Sequence, residues 1–369
     1  KSRNKATAGV VCLETQKDDS MNYGISVLFR AIPLLMGLFC FGYGLFITSY
    51  GTGPNRFLAG PVVFSLGMIC IALFSTAATI IRQIIGTFGT VSKYVLPGVG
   101  YLSAALTIIG GIRLLHVSTD TASFVAGHVI CGVGLITACV ATTATSSTRF
   151  TMITVNARKS DHEPPPKAFT RTQGLTLISI ALIISVVAWV WAFVLLAKSG
   201  LHPKYFVAGH VMIGLASICT CLITLVATIA RQIRNIFSAS ERRIWPVLVL
   251  IMGSLCVIWG LILILGTADR GLASTGYIMI GLGLVCYSIS SKVILLSKIW
   301  RHEFRLSNRI PLIPIFTALG CLFLAAFLFE MGTVHGYYFV PARVLAGLGG
   351  ICFTLFSIVS ILESGTSSK

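Results

Sequence analysis

Ten stretches of this chain are apolar over about 20 residues or more, and no other feature restricts its folding so tightly. A helix of that length rises about 30 Å, enough to cross the hydrocarbon of a bilayer. The stretches cover roughly 26–48, 57–81, 94–116, 123–146, 173–198, 205–230, 244–267, 275–297, 310–332 and 338–362. A soluble protein of this size needs a charged surface, and only 11% of the residues are charged against 55% hydrophobic. The expectation is an all-α polytopic membrane protein with ten transmembrane helices.

Within these stretches one hexapeptide keeps returning. Phe206-Val207-Ala208-Gly209-His210-Val211 is nearly identical to Phe124-Val125-Ala126-Gly127-His128-Val129. Weaker copies are Phe57-Leu58-Ala59-Gly60-Pro61-Val62, Phe339-Val340-Pro341-Ala342-Arg343-Val344 and Thr275-Gly276-Tyr277-Ile278. Aligned on the histidine, the copies carry Pro61, His128, His210, Tyr277 and Arg343, spaced by 67, 82, 67 and 66 residues. This predicts five parallel two-helix repeats, about 26–81, 94–146, 173–230, 244–297 and 310–362.

Around that column the residues sort by helical angle. Small residues stand one before it, as at Gly127 and Gly209, and four after it, as at Gly132, Gly214, Gly281 and Gly347. Six after it stand Gly67, Gly134, Ala216, Gly283 and Gly349. The −1 and +6 positions share one face and the 0 and +4 positions another, while bulky aliphatics at +1, +5 and +8 form a third. Two small-residue faces predict close neighbours on two sides, because small residues let backbones approach where no hydrophobic force drives association.

The net charge of +17 falls mainly in alternate loops. Loops after even spans hold Arg82 and Lys93, then Arg149, Arg158, Lys159, Lys167 and Arg171. Later ones hold Arg231, Arg234, Arg242 and Arg243, then Lys298, Arg301, Arg305 and Arg309, whereas the intervening loops hold only Arg56, Lys198, Lys204 and Arg270. This is the positive-inside pattern, so both termini are expected in the cytoplasm and the bilayer, rather than nucleic acid, as the partner. Residues 1–20 are polar and read as an appended remnant or disordered tail, and 365–369 as a second tail. The stretch 147–172, with Pro164-Pro165-Pro166, reads as a cytoplasmic linker.

The ionisable residues that stand out in the spans are Arg113, His116, His128, His210, Glu330 and Arg343, all toward the outer helix ends. Such residues are functional candidates. Glu330 and Arg343 lie equally far from the turn at Gly336, and Arg113 and His128 from the turn at Asp120, so each pair is expected at one depth. If the five repeats stand around an axis, Pro61, His128, His210, Tyr277 and Arg343 would ring its outer end, and the histidines would gain charge in acid. No carboxylate pair, nucleophile arrangement or metal-ligand spacing accompanies them, so no enzyme, metal or cofactor is expected. The eleven cysteines, with Cys70, Cys219, Cys286 and Cys352 in one repeat column, read as small packing hydrophobes.

Beyond the paired hexapeptides, three runs carry a family resemblance: Cys219-Thr220-Cys221-Leu222-Ile223-Thr224-Leu225-Val226-Ala227-Thr228-Ile229, Asn308-Arg309-Ile310-Pro311-Leu312-Ile313-Pro314, and Cys352 through Glu363. From about Met21 to Ser364 the chain resembles the YhiM family of bacterial inner-membrane proteins. That resemblance implies a ten-span inner-membrane protein linked to survival at low pH and low temperature, with no assigned reaction or site residues. Two functions fit the residues. One is a transporter or channel around a polar path, with an unknown small-molecule or ion substrate. The other is a non-transporting sensor, scaffold or lipid- or partner-binding factor, favoured by the lack of a mid-depth charge in the set above. Homo-oligomerisation stays open.

Overall fold

Backbone groups in hydrocarbon must find partners within the chain, and helices achieve this locally. The computed structural model describes residues 28–29, 31–51, 53, 55–84, 87–117, 120–159, 170–234, 236–299 and 310–367. Among these, every regular element is helical. The helices are α1 (Ala31–Tyr50), α2 (Arg56–Ile84), α3 (Thr90–Val117) and α4 (Thr121–Lys159). They continue with α5 (Arg171–Ala197), α6 (Pro203–Ile233), α7 (Glu241–Gly266) and the single turn α8 (Arg270–Ala273). The last three are α9 (Thr275–Ile299), α10 (Leu312–Val334) and α11 (Phe339–Ser367). Counting α8 with α9, ten segments are long and apolar enough to cross a membrane.

The starts of several helices follow from local chemistry. Thr170 and Gln173 form a reciprocal capping box on α5. His202 caps α6, with Pro203 in the first helical turn where its missing N–H costs nothing. Asp120 accepts the Ser123 N–H at 3.1 Å at the start of α4, and these Ser123 contacts hold its carboxyl below the usual carboxylate range. One ion pair, Arg231 with Glu241, joins the end of α6 to the start of α7.

The ten long helices form two layers. In α1, α3, α5, α7 and α10 only 28–33% of the most apolar window is buried, whereas in α2, α4, α6, α9 and α11 the share is 61–83%. The inner five pack in sequence, α2 on α4, α4 on α6, α6 on α9, α9 on α11, and α11 closes back on α2. Each outer helix lies against its own inner partner: α3 on α4, α5 on α6, α7 on α9 and α10 on α11. Ser357 of α11 donates to the carbonyl of Phe29, just ahead of α1, and Phe29 meets Phe356 edge-on at 5.7 Å. The first outer helix therefore sits beside the last inner one.

The small residues mark these contacts. On the −1/+6 face, a Cβ at Gly60 would lie 2.8 Å from the Gly44 carbonyl oxygen, one at Gly127 3.1 Å from that of Gly111, and one at Gly209 3.0 Å from the Leu196 nitrogen. That face meets the outer helix of the same hairpin. The +4 face meets the next inner helix: Gly132 receives Leu215, Gly214 receives Leu282, Gly281 receives Leu345 and Leu348, and Gly347 receives Leu66. The third, bulky face is left to point inward.

Near the other end of the inner helices two glutamines donate across helix contacts. Gln83 of α2 donates to the Thr148 carbonyl of α4 at 2.6 Å, and Gln232 of α6 donates to the Leu296 carbonyl of α9 at 3.1 Å. One boundary differs from the sequence expectation. Helix α4 continues to Lys159 instead of ending near 146. The hydroxyls of that stretch are satisfied within the helix, Ser146, Ser147 and Thr148 donating back to carbonyls three or four residues earlier. What is left of the expected linker, 160–169, lies outside the described residues, as do the first twenty residues and the last two.

Candidate functional site

Because the bulky face of every inner helix points inward, aliphatic side chains stack in layers along the axis. One layer holds Leu66, Leu215, Leu282 and Leu348. The next holds Ile69, Ile136, Ile218, Val285 and Ile351, and the third Leu73, Val140, Leu222, Ile289 and Leu355. All five inner helices thus line one narrow cavity of about 30 Å³. Since about 10–15 Å³ holds one water, it admits a file of very few small species.

Below the apolar layers the lining changes. Thr76, Thr143, Leu225 and Lys292 come next, and a smaller void continues past Ser147, Ile229 and Leu296 toward the arginine-bearing helix ends. Lys292 is only 4% exposed. Among the described residues no carboxylate pairs with it and no hydrogen-bond acceptor is bound to it. It lies about 22 Å along α9 from Tyr277 at helical rise. The inventory of intramembrane charges drawn from the sequence missed this residue, although it falls inside the expected span 275–297. The repeat column could have revealed it: fifteen residues after the histidine position stand Thr76, Thr143, Leu225, Lys292 and Ile358.

The histidine column takes a different place from the one expected. None of Pro61, His128, His210, Tyr277 and Arg343 lines the axial cavity. His128 accepts the Trp191 Nε1–H at Nδ1, 3.1 Å away, across the contact between α4 and α5. His210 is buried, bonds the Phe206 carbonyl through Nδ1 at 2.7 Å, and stacks on Trp259 of α7 at 6.1 Å. Tyr277 meets Tyr338 edge-on at 5.9 Å, and Pro61 lines an apolar groove shared with α1, α3 and α4. The column thus faces neighbouring helices rather than the axis, because the +5 and +8 aliphatics occupy the inward angle.

The two expected charge pairs are not formed. Glu330 is exposed, while the Arg343 guanidinium lies 3.4 Å from the Phe339 ring centroid and donates to the Phe339 carbonyl at 3.0 Å. Equal depth did not bring them together because they sit at different angles on α10 and α11. Arg113 and His116 are exposed on α3, and the polar partner of His128 is Trp191. Above His128 an aromatic cluster forms, with Phe124 edge-on to Tyr205 at 5.1 Å and the Lys204 ammonium 4.6 Å from the Phe124 ring centre.

The described cysteines are buried free thiols. Among the described residues no group of three or more His, Cys, Asp or Glu side chains could hold a metal.

The model of the family described as "Protein of unknown function (DUF2776)" matches residues 21–367. The chain belongs to that family. It is 46% identical to "Inner membrane protein YhiM" of Escherichia coli (strain K12) over 351 residues, covering 95% of this chain and 100% of that protein. No solved structure matches the chain. The family match starts at Met21 and includes the inner ring, Lys292 and the histidine column of this DUF2776 member.

Proposed function

We propose that this chain is a multi-pass protein of the bacterial inner membrane whose five inner helices enclose a gated path for a small ion or solute. The observation that supports this reading is the axial cavity, lined by all five inner helices and narrowed by three aliphatic layers. Apolar constrictions gate by dewetting: a bore this narrow holds no continuous water column until it widens. The inner-membrane placement takes up the name of the relative that is 46% identical, and the basic loops put both termini in the cytoplasm. The non-transporting alternative rested on the lack of a charge deep in the spans. Lys292, about 7 Å from the inner end of its span at helical rise, is not at mid-depth, but it sets a buried charge beside the axis and weakens that support.

The same reading assigns an acid response to one hydrogen bond rather than to a ring of charge. An indole N–H can only donate, so His128 Nδ1 accepts and its ring proton sits on Nε2. Protonation would place hydrogen on both nitrogens and abolish that acceptor, loosening the contact of α5 with α4. At His210 the Phe206 carbonyl can only accept, so Nδ1 already carries a proton and acid leaves the bond intact.

Proteoliposome flux of protons, small anions and small amines tests both parts. At least one species should pass, severalfold faster in strong acid than at about pH 7.5, where histidine is neutral. His128→Gln should remove the acceleration, because an amide oxygen accepts from Trp191 at either pH. His210→Gln should keep it. Silence across the panel at both pH values would contradict the transport reading.

A further inference from the structure

We propose that the axial cavity holds a small monovalent anion, of halide size, at Lys292, and that the path selects anions over cations. The inference rests on the reading of the axis as a conduction path and names what travels along it.

Among the described residues Lys292 has no ionic partner. Lys292 is 4% exposed and borders both axial voids. The described acidic side chains all stand at or near helix ends, and none pairs with Lys292. Asp120 and Asp269 start α4 and α8, Glu241 starts α7 and pairs with Arg231, and Glu330 is exposed near the end of α10. A buried ammonium with no counter-charge is costly, and such residues in membrane proteins mark ion pathways. An anion in the cavity would supply the missing charge.

The surroundings suit that occupant. Thr76 and Thr143 flank the same level of the cavity and donate to their own helix carbonyls at 3.2 and 3.0 Å. A hydroxyl hydrogen can rotate, so either group can turn its donor toward an anion while its carbonyl keeps the helical N–H bond. At the helix ends beyond, Arg82 and Arg234 give the mouth a positive field, which concentrates anions and repels cations. The cavity of about 30 Å³ restricts the ligand to a species near the size of water or a halide. Lysine presents a point charge without the planar fork of arginine, so it selects for sign and size rather than for carboxylate or phosphate shape.

Chloride efflux from proteoliposomes, with potassium carried by a separate ionophore, is the first test. The parent should release chloride at least tenfold faster than empty vesicles. Lys292→Met should fall to the empty-vesicle rate, and Lys292→Arg should retain part of the flux. Potassium without the ionophore should stay at background. Potassium or proton flux without chloride flux, or chloride flux unchanged in Lys292→Met, would overturn the anion assignment while leaving a conducting axis.

If Lys292→Met does not fold, the parent's own chloride-to-potassium selectivity decides the same question. If no ion passes at all, the conduction reading fails and the site is tested alone by bromide, added to the detergent-solubilised protein. A rise in melting temperature in the parent that is kept at least in part in Lys292→Arg and absent in Lys292→Met keeps an anion site at Lys292. No rise, or an equal rise in all three, rejects it.

Discussion

Gly260→Ala should destabilise the protein by about 1–3 kcal/mol, the usual cost of overpacking a tight contact. Gly110→Ala should be neutral or stabilising by up to about 1 kcal/mol. Both glycines lie inside outer helices, where alanine is intrinsically the better helix former. They differ in what a methyl would meet. At Gly260 a Cβ would stand 2.6 Å from the Gly276 carbonyl oxygen and 3.1 Å from the Ile280 nitrogen, both backbone atoms of α9. Gly276 in turn abuts the Gly260 carbonyl, so the two helices touch backbone to backbone. At Gly110 nothing lies within 4 Å. Neighbouring side chains can rotate away from a new methyl, as Leu282 can at Gly214, but a helix backbone must shift as a unit. Thermal unfolding in detergent should separate the two variants by several degrees and in opposite directions. Equal melting temperatures would contradict the two-layer packing of α7 on α9.

The largest functional effect should come from making one aliphatic layer polar. Leu222 lines the cavity with Leu73, Val140, Ile289 and Leu355. Leu222→Asn keeps the number of side-chain heavy atoms but lets water stay at that level, and a dewetted gate depends on water being expelled. Ion leak through proteoliposomes should rise on the order of tenfold or more, since about 1.4 kcal/mol off the barrier already gives a factor of ten. The same change at Leu261, which faces outward from α7 at 46% exposure, should leave the leak unchanged. An unchanged leak in Leu222→Asn, with the protein folded, would show that the axis is packing and not a path.

The ten spans and the two small-residue faces could be read in the sequence because length and helical period are local properties. Gly132, Gly214, Gly281 and Gly347 stand in one column and meet one kind of neighbour, the next inner helix. The lumen was not legible. An aliphatic face turned to the axis has the same composition as one turned to lipid: Leu282 on the inner ring and Leu261 on the outer cannot be told apart by type. Lys292 was hidden by its setting, a run of Ser288, Ser290 and Ser291 that reads as ordinary small-residue packing, with Ser290 and Ser291 donating to their own helix. The histidine column shows the converse error. Repeat position predicts depth but not which way a side chain points, and the partners that orient His128 and His210, Trp191 and Trp259, come from other hairpins.

Everything proposed for the axis depends on the inner helices forming a closed ring, and the closing contact is α11 against α2. There Thr354 Oγ1 lies 3.9 Å from Cys70 Sγ, 284 residues apart in the chain. The decisive measurement is a disulfide between Cys70 and a cysteine introduced by Thr354→Cys, with every other cysteine replaced by alanine, because Cys40 adjoins Cys70 and Cys139 adjoins Cys219 across the cleavage site. A protease site placed within 160–169 then cuts the chain between the two cysteines. After mild oxidation and cleavage, a closed ring predicts a single non-reduced band that separates into two on reduction. Two fragments before reduction, with the uncut protein folded and both thiols present, would mean that the first and last inner helices are not neighbours and that no axis is enclosed.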